Sequence, residues 1–336
     1  MKTLFYAALA VVPWVIAILL LRWLISFQGW PVGLVGTMTR CVALPVLGGW
    51  IVLRGAGWRR LHPRGQLRWL AIMGLIAIVI NLTRFGAVRW TTATNVSMLI
   101  RFDIVFVILI GAVLGLERIG WRQLALLPVM FVGLGLLMEI DRFDWGGHII
   151  GDMMTIVSAF GFAVNAFIIR HIMLVLDEEP VAFYNHAITM IGFIAFGLFM
   201  GDFARTTIVL SQPAAWIPIA GLGILTAISL PLYYVALRRM DVWKLRMFML
   251  AAPVLTAAIE WPLWGIQLSR LQWLGAAIIL AGLAVLIRME WRLTARGDGA
   301  RATMTSVTAG QAVSDAAEPT DCSSAAGQHP TKDSIA

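Results

Sequence analysis

The sequence has few charged residues and almost no cysteine. Charged side chains make up 13% of its 336 residues, whereas a soluble domain carries about 25%. Of the two cysteines, Cys41 lies in an apolar run and Cys322 in a polar tail, so neither a disulfide nor a cysteine-based metal site is expected. This shortage of charge excludes an ordinary soluble domain.

The sequence is rich in long apolar runs. Hydrophobic residues make up 60% of the chain, and runs of the about 20 residues needed to cross a bilayer follow one another. Each run is predicted to be a helix, because membrane-embedded backbone must satisfy its own hydrogen bonds. The predicted fold is therefore an all-α integral membrane protein with ten spans in two sets of five. The predicted spans are 4–25, 32–53, 67–85, 93–115, 121–139, 149–171, 180–200, 213–237, 243–264 and 272–290.

Charge between the runs predicts the orientation. The second and eighth loops are rich in arginine, whereas the fifth is mainly acidic, so both termini are predicted to face the cytoplasm. Arg84 and Arg89, in the third loop, oppose this weakly. The net charge of +8 follows from this topology and does not indicate nucleic-acid binding. We expect a multi-pass protein of the cell membrane. Its N-terminal apolar run is too long for a secretory signal and is predicted to be retained.

The chain contains an internal repeat. A shift of 149 residues places AVRW, from Ala87, on ALRR, from Ala236. The same shift aligns Arg89 with Arg238, Gln123 with Gln272 and Gly133 with Gly282. Because five is odd, the second copy must enter the membrane from the opposite side, which gives inverted repeats. Such repeats suit alternating access around a midplane site, although duplication could also serve only to build a stable bundle.

Three parts of the chain are predicted from this repeat. Residues 1–140 form the first five-helix repeat and residues 141–290 the second. Residues 291–336 have almost no large apolar side chains and are predicted to be a disordered cytoplasmic tail.

Two pairs of segments resemble a known family. AVRWTTATNVSMLI and GLERIGWRQLALLPVMFVGLGLLM resemble the closing two-helix signature of an EamA domain of the drug/metabolite transporter superfamily. ALRRMDVWKLRMFMLAAPV and LSRLQWLGAAIILAGLAVLI resemble its second copy. The resemblance covers about residues 4 to 288 and implies a ten-helix secondary carrier of a small metabolite or drug.

The sequence departs from the family pattern in the fourth helix of each copy. The family's proline is present as Pro253, but the first copy has Ile104 there; its following glutamate is present as Glu117, but Ile266 replaces it in the second copy. In the first copy, charged residues also replace small ones in this helix. Because of these departures, the substrates of the family cannot be assigned to this chain.

Three charged residues, Arg40, Arg101 and Asp103, fall too deep in predicted spans to be interfacial anchors. A fourth, Glu260, lies toward the outer end of the ninth span, which leaves open whether it is interior or interfacial. Each intramembrane charge costs about 2.5 to 3.5 kcal/mol on insertion scales and needs a partner or a wet cavity. Arg22, Arg84, Arg170 and Arg288 lie near predicted helix ends and are interpreted as snorkelling anchors. Residues two apart point about 200° from each other, so Arg101 and Asp103 are not expected to form a local ion pair.

The functional interpretation assigns roles to these residues. Arg40 and Arg101 would bind an anionic group of a substrate, with Asn165 as a polar contact. Asp103 and Glu260 would couple transport to a proton or cation. The alternative is that the charges only pair between helices, for example Arg40 with Asp103 and Arg101 with Glu260.

No phosphate-binding loop, zinc spacing or nucleophile motif is present, so no cofactor or metal is expected. The leading prediction is a carrier with a small-molecule substrate and a lipid bilayer around it, and no enzymatic activity. Two alternatives remain: a membrane enzyme using Asp103 with Glu260 or His186 as acid and base, or a receptor on the carrier fold. The sequence leaves open whether the protein forms a homodimer.

Overall fold

The fold is described from a computed structural model. It describes residues 2–56, 61–63, 65–87, 90–91, 96, 98–117, 119–139, 149–205, 211, 213–265, 268–289 and 291–292. These residues include helices but no β-strand. The chain divides into one compact unit over Met1–Leu286 and a second over Ile287–Ala336. The predicted tail lies almost wholly outside the described residues.

Most helices follow the predicted spans, but the fourth span, predicted as 93–115, is a regular helix only over Asp103–Val113. The second span, predicted as 32–53, is a helix over Val32–Ile51, and the sixth, predicted as 149–171, is one over Ile149–Ile172. The helices are α1 Lys2–Arg22, α2 Val32–Ile51, α3 Leu67–Ala87, α4 Asp103–Val113, α5 Leu126–Leu137, α6 Ile149–Ile172, α7 Glu178–Met200, α8 Pro213–Arg239, α9 Val242–Met249 continuing over Ala251–Trp264, and α10 Arg270–Met289.

Two helices are irregular: α9 is interrupted within its length, and α4 is preceded by a 3₁₀ turn. In α9 the regular helix is interrupted at Leu250, whose N–H bonds the Met247 carbonyl three residues back. Pro253 has no N–H for the Met249 carbonyl, which accounts for the interruption. A 3₁₀ turn, Ile100–Phe102, precedes α4 and carries Arg101, so Asp103 begins the regular helix instead of lying inside it.

Length and composition make this a multi-pass membrane protein. Within the described residues, seven helices are long and apolar enough to cross a bilayer, and two shorter apolar helices, Leu9–Ile25 and Trp121–Leu137, accompany them. Large apolar side chains on the outer surfaces of the helices are exposed, for example Phe199 at 84% and Ile217 at 79%. In water such a surface would be costly, and in lipid it is not. The ten-span count and the inverted arrangement of the halves stay predictions.

Glycines allow helices from the two predicted halves to approach closely. A Cβ atom at Gly275 of α10 would lie 2.5 Å from the Gly133 carbonyl oxygen of α5, and also 2.5 Å from the Leu137 nitrogen. Small residues at such contacts let backbones meet and are typical of membrane helix interfaces. Gly133 and Gly275 therefore fix how near α5 and α10 can lie.

We predict that Gly275→Ala destabilises the protein by about 1 to 3 kcal/mol, because the new methyl group meets backbone atoms that cannot move away. The measurement is the melting temperature of the purified protein in detergent. The matched control is Gly49→Ala in α2, where an added Cβ meets nothing within 4 Å and alanine improves helix propensity. Equal melting temperatures for the two variants would contradict the close contact of α5 with α10.

Candidate functional site

A buried ion pair joins α4 to α9. Oδ2 of Asp103 lies 3.0 Å from Nη1 of Arg246, and the two side chains are only 9% and 11% exposed. The sequence offered Arg40 as a partner for Asp103, whereas the structure pairs it with Arg246. Arg246 falls inside the predicted ninth span, 243–264, among the basic residues that the sequence analysis used only for orientation; it lies in the second turn of α9, facing inward.

The Arg246 guanidinium lies where four helices meet. Its Nη2 donates a hydrogen bond of 3.1 Å to the Phe162 carbonyl of α6. Its central carbon is 5.7 Å from the ring centroids of both Phe162 and Tyr233, the latter on α8. Together with Asp103 of α4, these contacts hold the cation at one point between α4, α6, α8 and α9.

Arg101 belongs to the same group of charges. Its charge acts on both Asp103 and Arg246, so all three side chains lie within Coulombic range of one another. Its Nε is buried and has no hydrogen-bond partner. Their spacing of three and four residues also puts Thr94, Ser97 and Arg101 on one predicted helix face, but Thr94 and Ser97 lie outside the described residues.

Arg40 lies on α2 and is attached to α7. Its Nε donates to Thr189 Oγ1 at 3.2 Å and its Nη1 to the Gly36 carbonyl at 3.2 Å. Its guanidinium carbon stands 4.2 Å from the centroid of the Phe193 ring. These contacts position the cation without neutralising it.

Arg84 connects Arg40 to the other charges. It lies within Coulombic range of Arg40 on one side and of Arg101 on the other. Its guanidinium is also 5.9 Å from the Phe162 ring that Arg246 contacts. The sequence analysis interpreted Arg84 as an anchor at a helix end and therefore missed its position between Arg40 and Arg101 in the interior of the bundle. Depth alone could not reveal it, because Arg84 lies in the last turn of α3.

We call Arg40, Arg84, Arg101, Arg246 and Asp103 the arginine cluster. It holds four cations and one carboxylate. The described residues include two other buried acidic side chains, and both have partners elsewhere. Within the cluster, Arg101 and Arg246 share the one carboxylate of Asp103, which leaves an excess of positive charge inside an apolar bundle, where uncompensated charge is expensive.

Polar atoms without partners surround the ion pair. Nε of Arg246, Oδ1 of Asn165 and the Tyr233 hydroxyl are all buried without a hydrogen bond. Asn165 lies three residues after Phe162 on α6, on the face that meets Arg246. A buried polar atom left unpaired costs about 1 to 3 kcal/mol, so several together indicate a site shaped for a polar ligand.

Glu260 lies away from the cluster. Its carboxylate pairs with Arg22 of α1, and not with Arg101 as the sequence suggested. Fourteen residues of α9 separate Glu260 from Arg246, which is about 21 Å of helix. His186 is buried beside Arg40, near the Thr226 carbonyl. Asp103 and Glu260, one acid–base combination of the membrane-enzyme alternative, are thus not brought together, and the described part of the chain holds no group of three metal-ligating side chains.

Glu117 ties together three elements on one side of the bundle. Its carboxylate accepts hydrogen bonds from the backbone N–H groups of Val242 at 2.6 Å and Trp243 at 3.3 Å, at the start of α9. It also pairs with Arg170 Nη1 of α6 at 2.7 Å. Burial raises the pKa of Glu117, while the two N–H groups and Arg170 act in the opposite direction. The sequence identified Glu117 only through the family pattern and interpreted Arg170 as an anchor.

An apolar groove of about 330 Å³ lies elsewhere, between α1, α8 and α9. Its lining includes Leu19, Trp23, Pro218 and Leu263, with no charged side chain. Such a groove suits acyl chains, so the arginine cluster is the better candidate for a substrate site.

These features define a multi-pass membrane transporter, with charged side chains in the interior of an apolar helical bundle. The chain belongs to the EamA-like transporter family, which matches it twice, over residues 1–138 and 149–288. The two matches confirm the family that the sequence segments resemble.

Individual proteins are also similar to this chain. An uncharacterized transporter of Archaeoglobus fulgidus is 30% identical over 224 residues, which cover 64% of this chain and 74% of that protein. A second uncharacterized transporter of the same organism is 24% identical over 232 residues, covering 69% and 78%. A protein of known crystal structure is similar in fold, with a TM-score of 0.70 at 19% identity, covering 85% of this chain and 97% of its own.

We predict that Glu117→Ala destabilises the protein by about 3 kcal/mol, because it leaves two N–H groups and a cation without their acceptor. The measurement is again the melting temperature in detergent. The control is Glu179→Ala, which breaks an ion pair with Arg54, itself 52% exposed, and should cost less than about 1 kcal/mol. Similar losses in both variants would contradict a structural role for Glu117 beyond surface charge.

Proposed function

We propose that this protein is a secondary active transporter that carries a small organic anion by alternating access. Its spans form two inverted repeats of five, residues 1–140 and 141–290, and both termini face the cytoplasm. The anion binds at the arginine cluster, near the middle of the bundle.

Helix packing supports the two repeats. The most extensive contacts join α1 to α8 and α3 to α6, and these are the same contact with the two sets of helices exchanged. The contact of α2 with α8 corresponds in the same way to that of α3 with α7, and that of α1 with α9 to that of α4 with α6. Contacts that recur in this way are expected of a duplicated unit arranged about a two-fold axis.

Equivalent helices run in opposite directions where they meet. Along α2, Gly33, Gly36 and Arg40 lie against Gly197, Phe193 and Thr189 of α7, in descending order. Arg40 and Thr189 are 149 residues apart, which is the spacing of the sequence repeat. An equivalent pair in antiparallel helices supports inversion of the second copy.

The local structure at the start of the fifth helix recurs as well. Gln123 Oε1 accepts the Gly120 N–H at 2.9 Å, and Gln272 Oε1 accepts the Ser269 N–H at 2.8 Å. Both pairs of residues are 149 apart. The glutamines that align in the sequence therefore make the same capping contact, which again favours duplication.

The positive charge of the arginine cluster is the observation that supports an anionic substrate. Arg101 and Arg246 share a single carboxylate in a low-dielectric interior, and Arg40 makes no ion pair in its described contacts, so a bound anion lowers the electrostatic cost of the cluster. Arginine suits carboxylates because its planar fork can bind both oxygens. Arg40 and Arg101 are proposed to bind the anion and Asn165 to contact it, while Asp103 is the coupling carboxylate.

Two ion pairs are suited to close the bundle at opposite ends. Glu117 follows α4 and binds Arg170 in the last turn of α6, while Glu260 of α9 binds Arg22 at the end of α1. These are equivalent helix pairs of the two repeats, and the predicted topology puts them on opposite sides of the membrane. Alternating access then breaks one pair at a time. In this proposal Glu260 closes the outer side and is not a coupling residue.

We predict that Arg101→Lys lowers the affinity for an anionic substrate by about tenfold, or about 1.4 kcal/mol, since lysine keeps the charge but loses the fork. The substrate is found by comparing metabolites of cells with and without the protein, and its half-saturating concentration is then measured for both forms. Arg54→Gln, at an exposed surface pair, is the control. Unchanged affinity in Arg101→Lys would reject its role.

The topology has a separate test. Reporter fusions placed after residue 290 should give a cytoplasmic signal, and fusions within 140–148 a signal from the opposite side. A fusion within 57–60 should agree with the C-terminal one. Signals from the same side for the first two fusions would contradict an odd number of spans in the second repeat.

A further inference from the structure

Arg246 has the contacts of a substrate-binding residue, although its sequence context predicted no site role for it. It stands at the junction of four helices, with Asp103 at one nitrogen and the Phe162 carbonyl at another. Its third nitrogen, Nε, is buried and unpartnered, as is Nε of Arg101. Two buried arginines thus present unused donors in one charged cluster, one from each predicted repeat.

The repeat relates these two arginines. Position 246 corresponds to position 97 in the first copy, one helical turn before Arg101. In inverted repeats the fourth helices face each other, and α4 does contact the first segment of α9. The two cations therefore approach from opposite halves of the bundle toward the single carboxylate of Asp103.

The Asp103 carboxylate binds the Arg246 guanidinium at the place where a substrate carboxylate could bind. The described ion pair uses one oxygen and one guanidinium nitrogen, whereas a free carboxylate can bind an arginine fork through both oxygens. A substrate able to orient freely can therefore bind better than the tethered side chain does.

We propose, building on the carrier function, that the substrate is a small monocarboxylate that binds between Arg101 and Arg246, and that Asp103 releases Arg246 and takes up a proton as it binds. The proton comes from water on the open side of the bundle and leaves with the substrate on the other. One anion and one proton thus enter and leave together, so binding leaves the net charge of the protein with its ligands unchanged.

Local charge explains both the anion and the proton. Asp103 faces Arg101 from the preceding turn, Arg246 from α9 and the Tyr233 hydroxyl from α8, while the neighbouring stretch of α6, residues 162–165, has no titratable side chain. Two cations and one carboxylate leave one positive charge, and this charge is unchanged when a monoanion takes the place of the Asp103 carboxylate and Asp103 gains a proton. A displaced Asp103 would be an unpaired buried carboxylate, costing several kcal/mol unless it is protonated.

The rings beside the cation favour a substrate with an apolar body. Phe162 and Tyr233 flank the guanidinium, and Trp14 lies 6.2 Å from the Tyr233 ring, centroid to centroid. A carboxylate attached to a small apolar or aromatic group would meet these rings while its oxygens reach the arginines.

Benzoate is a suitable probe, with benzamide as its uncharged equivalent. The full-length protein is purified in lipid nanodiscs, and binding is measured by calorimetry from about pH 6 to about pH 8. Proton uptake is followed with an indicator dye in weak buffer. We expect benzoate to bind more than about tenfold tighter than benzamide. The protein should take up about one proton per benzoate bound, and the affinity for benzoate should fall by up to about tenfold for each unit by which the pH rises.

Variants separate the roles. Arg246→Gln should lower benzoate affinity at least about tenfold, and Arg246→Lys, which keeps the charge, should lower it less. Asp103→Asn should retain binding but lose both proton uptake and pH dependence, whereas Arg54→Gln should match the unmodified protein. A folded Arg246→Gln or Arg246→Lys protein that binds benzoate normally overturns the inference, as does binding without proton uptake or equal binding of benzamide.

Transport assays distinguish this inference from the carrier function itself. If proteoliposomes carry another metabolite while benzoate does not bind, the monocarboxylate site is wrong and the carrier stands. If benzoate binds with proton uptake but no tested anion crosses the proteoliposome membrane, the site stands and the carrier function is wrong.

Discussion

The cost of placing charge in an apolar interior governs this structure. The Asp103–Arg246 ion pair lies where α4, α6, α8 and α9 converge, with both side chains almost fully buried. Each partner makes the other tolerable, but the second cation beside them, Arg101, has no carboxylate of its own among these contacts. The proposed substrate role rests on this residual positive charge, since complete pairing would serve packing better.

Close helix packing makes that arrangement sustainable. Gly133 and Gly275 bring α5 against α10, and Gly33 and Gly197 bring α2 against α7, in contacts that leave no room for a methyl group. Lipid supplies no hydrophobic force between helices, so association depends on such backbone approach and on polar contacts between helices. Arg40 contributes one of these contacts, because it lies beside Phe193 and Thr189 at the α2–α7 crossing. Its charge is thus held in place by the same interface that packs the two halves.

The sequence predicted the membrane class, most helix bounds and part of the site, and its failures have physical causes. Depth along a span identified Arg40, Arg101 and Asp103 as interior, because a charge far from both ends cannot snorkel. The same reasoning failed for Arg84 and Arg246: both lie near helix ends, yet the packing of neighbouring helices turns them inward.

Partners were harder to predict than positions. Asp103 pairs with Arg246 and Glu260 with Arg22, and both choices depend on which helices are neighbours. A single sequence does not determine those neighbours from span depth. The repeat offered the one available signal, since its spacing aligns the two fourth helices and so places 246 opposite the turn that carries Arg101.

The two copies have kept their framework and diverged in their chemistry. The capping glutamines recur at the repeat spacing, as does Gly133 in Gly282, whereas Arg101 and Asp103 correspond to Leu250 and Ala252. A carrier that exchanges two inverted states needs matching packing surfaces in both halves, because each half takes the other's place. It does not need matching side chains at the centre, where one substrate is bound in both states. A single carboxylate between two arginines is therefore compatible with a two-fold framework, as the proposed carrier requires.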